Sequence, residues 1–145
     1  KRRLKPVQQA AGIPVTRRAC DVIQADRAYY FALDAETGGL EVRESEPEEA
    51  LGFRVPAGTD IPGWGALKRE SVRLEEAYLD VRFDPSLDIV TGYWTRTLLA
   101  VPVYDSRGEL LGVLEAVNKR GGCFDADDEA LLRALAHQYG CRSKL

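Results

Sequence analysis

Apolar and polar positions alternate along this chain with two periods, and they divide it into short elements. From Pro14 to Gln24, Val15, Ala19, Val22 and Ile23 share one side of a predicted helix, and Pro14 suits its first turn. Gly12 and Pro14 interrupt any longer helix from Lys5, so the first twelve residues predict no defined element. Arg27–Asp34 is aromatic-rich and predicts a strand. A turn over Ala35–Gly39 returns it as a second strand over Leu40–Ser45. After an acidic loop comes a short strand around Phe53–Val55. Asp60 is placed to cap a helix opening at Pro62, with Ala66 and Leu67 facing inward. Ser71–Trp94 mixes polar, aromatic and Pro residues and predicts loop with short helices. Arg96–Tyr104 and Leu110–Asn118 then form a hairpin across a turn containing Gly108. Leu99, Val101 and Val103 are apolar, and so are Leu98 and Ala100, so both sheet faces should be covered. Asp125 caps a final helix with Asp127, Asp128 and Glu129 in its first turn, Leu131, Leu135 and Tyr139 inward and Gly140 at its end. The sum is an α+β fold around an antiparallel sheet.

Composition narrows the class. With 145 residues, 45% hydrophobic and 30% charged, the chain suits one globular domain over its whole length. Its net charge of -3 argues against a general nucleic-acid or anionic-membrane binder. Basic residues crowd the start (Lys1, Arg2, Arg3, Lys5, Arg17, Arg18), where a solvated helix start is expected rather than a phosphate-binding arm. Cys20, Cys123 and Cys141 form no paired motif, which suits a reducing cytoplasm. Apolar runs are too short to span a bilayer as a helix. The chain lacks Met even at its first position, as expected of a segment of a longer protein.

Few residues suggest chemistry. Glu115 is assigned to one strand face with Leu111, Val113 and Val117. A carboxylate there needs a donor, or its pKa must rise. It is either a structural ion-pair partner or a pocket acid accepting a ligand's hydrogen bond. The stretch Asp60-Ile61-Pro62-Gly63-Trp64-Gly65 is either a capped turn or an anion site at a helix N-terminus. Asp88, Thr91 and Thr95 either serve turns or line one side of a pocket. His137, the only histidine, has no assigned partner. No nucleophile elbow or phosphate loop is present.

Three stretches resemble GAF domains, together covering about Val15–Gln138. They are Asp26–Asp34, Gly58–Arg96, and Asn118-Lys119 followed by Phe124 and Asp128-Glu129. The last resembles the N-K-xₙ-F-x₃-D-E motif of the cyclic-nucleotide-binding GAF domains of phosphodiesterases and adenylyl cyclases. The resemblance implies a six-stranded antiparallel sheet with helices on both faces and a ligand enclosed on one of them. It implies that Lys119 and Asp128 form a bracing salt bridge, so that Asn118, Lys119, Phe124, Asp128 and Glu129 act as a structural lock. It carries cyclic-nucleotide contacts onto Asp88, Thr91, Thr95 and Glu115, and a phosphate contact onto the backbone around Ile61 and Pro62. Three features depart from the pattern. Pro62 offers no N–H, Tyr29 stands where the residue is often small, and Lys68-Arg69-Glu70 replaces a turn of Thr-Gly-Glu type.

The function expected is that of a regulatory sensor for cAMP or cGMP, without catalytic residues, metal or cofactor. The expected partners are the nucleotide, a second copy and an attached catalytic or signalling domain. The rival is a ligand-free GAF domain that dimerises and transmits signals. Cysteine chemistry of the free methionine sulfoxide reductase type and bilin attachment both lack their cysteine between Asp60 and Asn118. Haem would want a pocket histidine, and His137 is badly placed for one.

Overall fold

The computed structural model describes residues 12–142; the first eleven residues, with their basic cluster Lys1–Lys5, lie outside that range. Six strands form one antiparallel sheet in the order β3-β2-β1-β6-β5-β4. They are β1 (Ala25–Leu33), β2 (Leu40–Glu46), β3 (Arg54–Val55), β4 (Val72–Leu74), β5 (Leu98–Tyr104) and β6 (Leu110–Lys119). Four α-helices, α1 (Val15–Ile23), α2 (Asp60–Lys68), α3 (Ser86–Thr91) and α4 (Ala126–Gly140), cover its two sides. One-turn helices lie at Glu48–Ala50 and Ala77–Leu79. Among the described residues, no helix is long and apolar enough to cross a membrane.

Strand alternation builds two cores, because successive side chains point to opposite faces. Ala28, Tyr30, Leu99, Val101, Leu114 and Ala116 pack beneath α1 and α4. Tyr29, Phe31, Leu98, Ala100, Val113 and Val117 form the opposite core with Ile61 and Ala66 of α2 and Leu87 of α3. Both faces are therefore covered, as the doubly apolar hairpin implies.

Two bulges reset this alternation. The β1–β2 register steps from Tyr30↔Glu44 to Phe31↔Val42, leaving Arg43 as the extra residue. Glu44 consequently turns to the helix side. There Oε1 accepts the Val15 N–H at 3.1 Å and Oε2 accepts the Tyr139 hydroxyl at 2.8 Å. The β5–β6 register slips from Val103↔Gly112 to Tyr104↔Leu110. Leu111 thereby joins the α1/α4 core, away from Val113 and Val117. Its expected place beside Glu115 is a correction that the bulge explains. Gly112 is required here, since a Cβ would sit 2.1 Å from the Phe31 carbonyl oxygen.

Helix stripes are rotated slightly from expectation. Leu131 is exposed while Leu132, Leu135 and Ala136 are buried, because two adjacent leucines offer two equivalent phases. Val22 and Leu67 are likewise outward; Val15, Thr16, Ala19, Cys20 and Ile23 form the inner side of α1, and Ile61 and Ala66 that of α2. Gly140 is not a left-handed cap. It lets α4 lie against β5, where a Cβ would fall 1.9 Å from the Tyr104 carbonyl oxygen.

Candidate functional site

The expected ligand residues divide between a buried face and its rim. Tyr29 and Glu115 are cross-strand neighbours on β1 and β6, exposed by only 1% and 5%. Glu115 Oε1 accepts no hydrogen bond, and the Tyr29 hydroxyl makes none of good geometry, with the Arg27 guanidinium beside it. Buried polar atoms are nearly always paired, so an unpartnered carboxyl oxygen here is a candidate contact for a ligand. Burial, followed by the charges of Asp60 and Asp88, pushes the Glu115 carboxyl well above its usual range. Without a ligand the protonated carboxyl is favoured, which donates through its O–H and still accepts through its other oxygen. Burial and then Glu115 itself raise the Tyr29 phenol as well.

Asp88, on α3, accepts three hydrogen bonds. Its Oδ2 accepts the Tyr78 hydroxyl at 2.7 Å and the Thr95 N–H at 2.8 Å, and Oδ1 accepts the Thr95 hydroxyl at 2.8 Å. Asp88 and Thr95 thus tie α3 to the approach of β5. Thr91 caps its own helix: its hydroxyl donates to the Leu87 carbonyl at 3.0 Å and accepts the Tyr93 N–H at 3.3 Å. Tyr78 stacks on Trp94 with centroids 4.6 Å apart, closing the outer side of this segment.

At the start of α2, Ile61 and Pro62 are buried. Pro62 has no N–H. The Ile61 N–H donates to Asp60 Oδ1 at 2.8 Å, and the Asp84 N–H donates to the same oxygen at 2.9 Å. Asp60 keeps part of its surface in solvent yet is densely surrounded by protein. It adopts φ 59°, a left-handed conformation uncommon outside glycine but tolerated by Asp. Burial, only partly offset by its two N–H donors, raises its carboxyl to about 6. The expected cap before a helix opening at Pro62 is corrected: the helix begins at Asp60 itself, the N-cap position falls on Thr59 without a side-chain capping bond, and Asp60 accepts the N–H of the next residue instead. The sequence places Asp60 at the start of the candidate anion stretch and Tyr29 at a position that departs from the family pattern, but assigns neither side chain a contact. Strand register would have brought Tyr29 beside Glu115, but nothing local signals that Asp60 approaches β6.

The five motif residues gather elsewhere, around the end of β6. Asn118 takes a left-handed φ of 61° and is fully engaged. Its Oδ1 accepts the N–H groups of Arg96 and Thr97 at 2.7 and 3.1 Å, and Nδ2 donates to the Tyr93 hydroxyl and the Trp94 carbonyl at 2.9 and 2.8 Å. Lys119 Nζ lies 3.0 Å from Asp128 Oδ1 and donates to the Ile23 carbonyl at 2.9 Å. Asp128 also exchanges side-chain and backbone bonds with Asp125, a reciprocal cap. Phe124 is buried in the α1/α4 core. Glu129 pairs with Arg73 at 3.2 Å and Arg133 at 3.8 Å, fastening α4 to β4. Of this network, Asn118 reaches the segment carrying Thr95 by four bonds, and Lys119 by its N–H, which donates to the Thr97 hydroxyl at 2.8 Å.

His137 does have a neighbour, since Cys141 Sγ lies 3.7 Å from its Nε2 across one helical turn. Among the described residues, no group of three or more His, Cys, Asp or Glu is placed to hold a metal ion. A cleft of about 460 Å³ near Arg69, Ser71 and His137 lies apart from Glu115, between β4, β5 and α4.

The GAF family model matches residues 10–142. The chain belongs to the GAF domain family. It is a regulatory domain. Dual 3',5'-cyclic-AMP and -GMP phosphodiesterase 11A of Takifugu rubripes is 35% identical over 128 residues, covering 79% of this chain and 14% of that protein. Dual 3',5'-cyclic-AMP and -GMP phosphodiesterase 11 of Drosophila melanogaster is 42% identical over 100 residues, covering 68% of this chain and 7% of that protein. The GAF domain thus spans a small part of the length of these relatives. Among solved structures, the GAF domain of a phosphoenolpyruvate-protein phosphotransferase from Coxiella burnetii aligns with a TM-score of 0.76 at 24% identity, covering 88% of this chain and 77% of that one. That likeness concerns the fold, a six-stranded antiparallel sheet with helices.

Proposed function

We propose that this GAF domain is a small-molecule sensor that binds a cyclic nucleotide between the sheet and α2/α3 and controls a catalytic or signalling domain of the same polypeptide. The observation carrying this reading is the buried, unpartnered Glu115 Oε1, with Tyr29 as its cross-strand neighbour. They lie on the sheet face that α2 and α3 cover. The names of the two relatives supply the ligand class, since both are phosphodiesterases of cyclic AMP and cyclic GMP. Ile61, Pro62, Asp88, Thr91, Thr95 and Glu115 are the contact candidates, and Asn118, Lys119, Phe124, Asp128 and Glu129 are the brace behind them.

The test is a thermal-shift and calorimetric titration with cAMP and cGMP. Binding to the folded state alone stabilises by about 2.7 kcal/mol at a hundredfold excess over Kd. In a chain of this length that raises Tm by roughly 8 °C. Micromolar binding of one nucleotide is expected. No shift with either at millimolar concentration overturns the reading and leaves the ligand-free dimerisation role.

A further inference from the structure

We propose that the Asp60 carboxylate is a built-in plug in the anion seat at the start of α2, so that an anionic ligand enters this site together with a proton. This inference rests on the cyclic-nucleotide reading and names the regulation of that site.

The geometry is that of an occupied seat. A helix N-terminus attracts anions through its free N–H groups and the positive end of its dipole. Here Pro62 removes one N–H, and the Ile61 N–H already donates to Asp60 Oδ1. The same oxygen takes the Asp84 N–H. A ligand phosphate seeking those donors meets a carboxylate that holds them. The Glu115 carboxyl, more than nine-tenths buried and with Oε1 unpartnered, lies on the sheet face that α2 covers and feels the charge of Asp60, so an unsatisfied polar group borders the seat.

The surrounding charges make the competition sharper. Asp84, before α3, and Asp88, on α3, both act on Asp60 with like charge, and Glu115 faces it from β6. Two cations near this face are Arg82 and Arg27. Arg82, stacked over Trp64 of α2, is 2.8 Å from Asp80. Arg27 of β1 lies beside Tyr29 and 3.4 Å from the half-exposed Glu49, and its Nη1 makes no hydrogen bond. A cyclic phosphodiester therefore meets carboxylates around Asp60, with Arg82 already committed to Asp80. Protonating Asp60 removes one negative charge, weakens its hold on the Ile61 N–H and releases that donor to the ligand. Burial supports this route, because Asp60 titrates near 6, within reach of neutral pH.

The experiment measures binding of cAMP and cGMP to this chain from pH 6 to pH 8, where neither nucleotide titrates. Calorimetry at pH 7.5 in two buffers of different ionisation enthalpy counts the protons exchanged. The expected results are net uptake approaching one proton per nucleotide and a Kd that weakens at least tenfold from pH 6 to pH 8. Asp60→Asn keeps the Oδ1 acceptor and its turn but cannot ionise. It should bind at pH 8 at least tenfold more tightly than the wild type, with a flat pH profile. Nucleotide binding to the wild type with no proton uptake and no pH dependence overturns the plug and leaves the sensor reading intact. An Asp60→Asn protein that folds but retains the wild-type pH slope also overturns it. No binding by either protein at any of these pH values overturns the plug and the sensor reading together.

Discussion

Glu115 is the residue most at odds with its surroundings. It carries an ionisable group into the apolar layer of Val113, Val117 and Ala100, facing Asp60 and Asp88. A carboxyl whose folded pKa lies above its unfolded value binds more protons when folded. Stability then falls as pH rises from about 4, the unfolded value, to the raised folded value. Asp60, raised to about 6, adds a slope of the same sign over the lower part of that window. Glu115→Gln keeps the shape and cannot ionise. Its apo Tm should match the wild type near pH 4 and exceed it by a margin that widens toward pH 8. Each pKa unit of mismatch corresponds to about 1.4 kcal/mol, roughly 3–4 °C here. Melting curves at four or five pH values decide the matter, and an offset independent of pH would show that Glu115 is not the group responsible.

Among the elements, the join between β6 and α4 concentrates the most side-chain bonding. Lys119 links β6 to the last carbonyl of α1 and to Asp128, while Asp128 caps α4 with Asp125. The two partners are therefore unequal. Asp128→Ala removes the ion pair and one reciprocal cap bond, and should cost about 1 kcal/mol more than Lys119→Ala. Because both side chains are largely buried, a double-mutant cycle in denaturant should give a coupling of about 1–3 kcal/mol. Additive single effects would show that the two residues act separately. The residues of this join were legible in the sequence as a spaced motif. The reciprocal cap was not, because the N3 residue is Asp where Glu or Gln usually serves. The strands, the hairpin and the last helix were legible too, since each runs long enough for its period to emerge. The bulges at Arg43 and Leu111 were not. One inserted residue leaves composition and periodicity almost unchanged, yet it moves Glu44 and Leu111 to the other side of the sheet. The same holds for Asp60, whose approach to Glu115 depends on how α2 lies across the sheet.

Over the whole molecule, the sheet separates two sets of machinery. The candidate ligand groups Glu115, Tyr29, Asp60 and Asp88 lie with α2 and α3, while α1 and α4 pair on the opposite side. Glu44 is where that second side is tied together, holding the first N–H of α1 and the Tyr139 hydroxyl on one carboxylate. Arg18 and Gln138 add a side-chain bond between the same helices at 3.2 Å. Neither helix end can fray without breaking a bond that also holds the other. In native-state hydrogen exchange, the first turn of α1 and the last turn of α4 should therefore open as one cooperative unit, with equal free energies. Glu44→Gln should lower both protections together, whereas independent fraying would lower one and leave the other unchanged. Motion arriving through either helix would thus reach its neighbour first, and the ligand side through the shared strands, since Tyr30 and Leu114 pack under the helices while the next residues along, Tyr29 and Glu115, face α2 and α3.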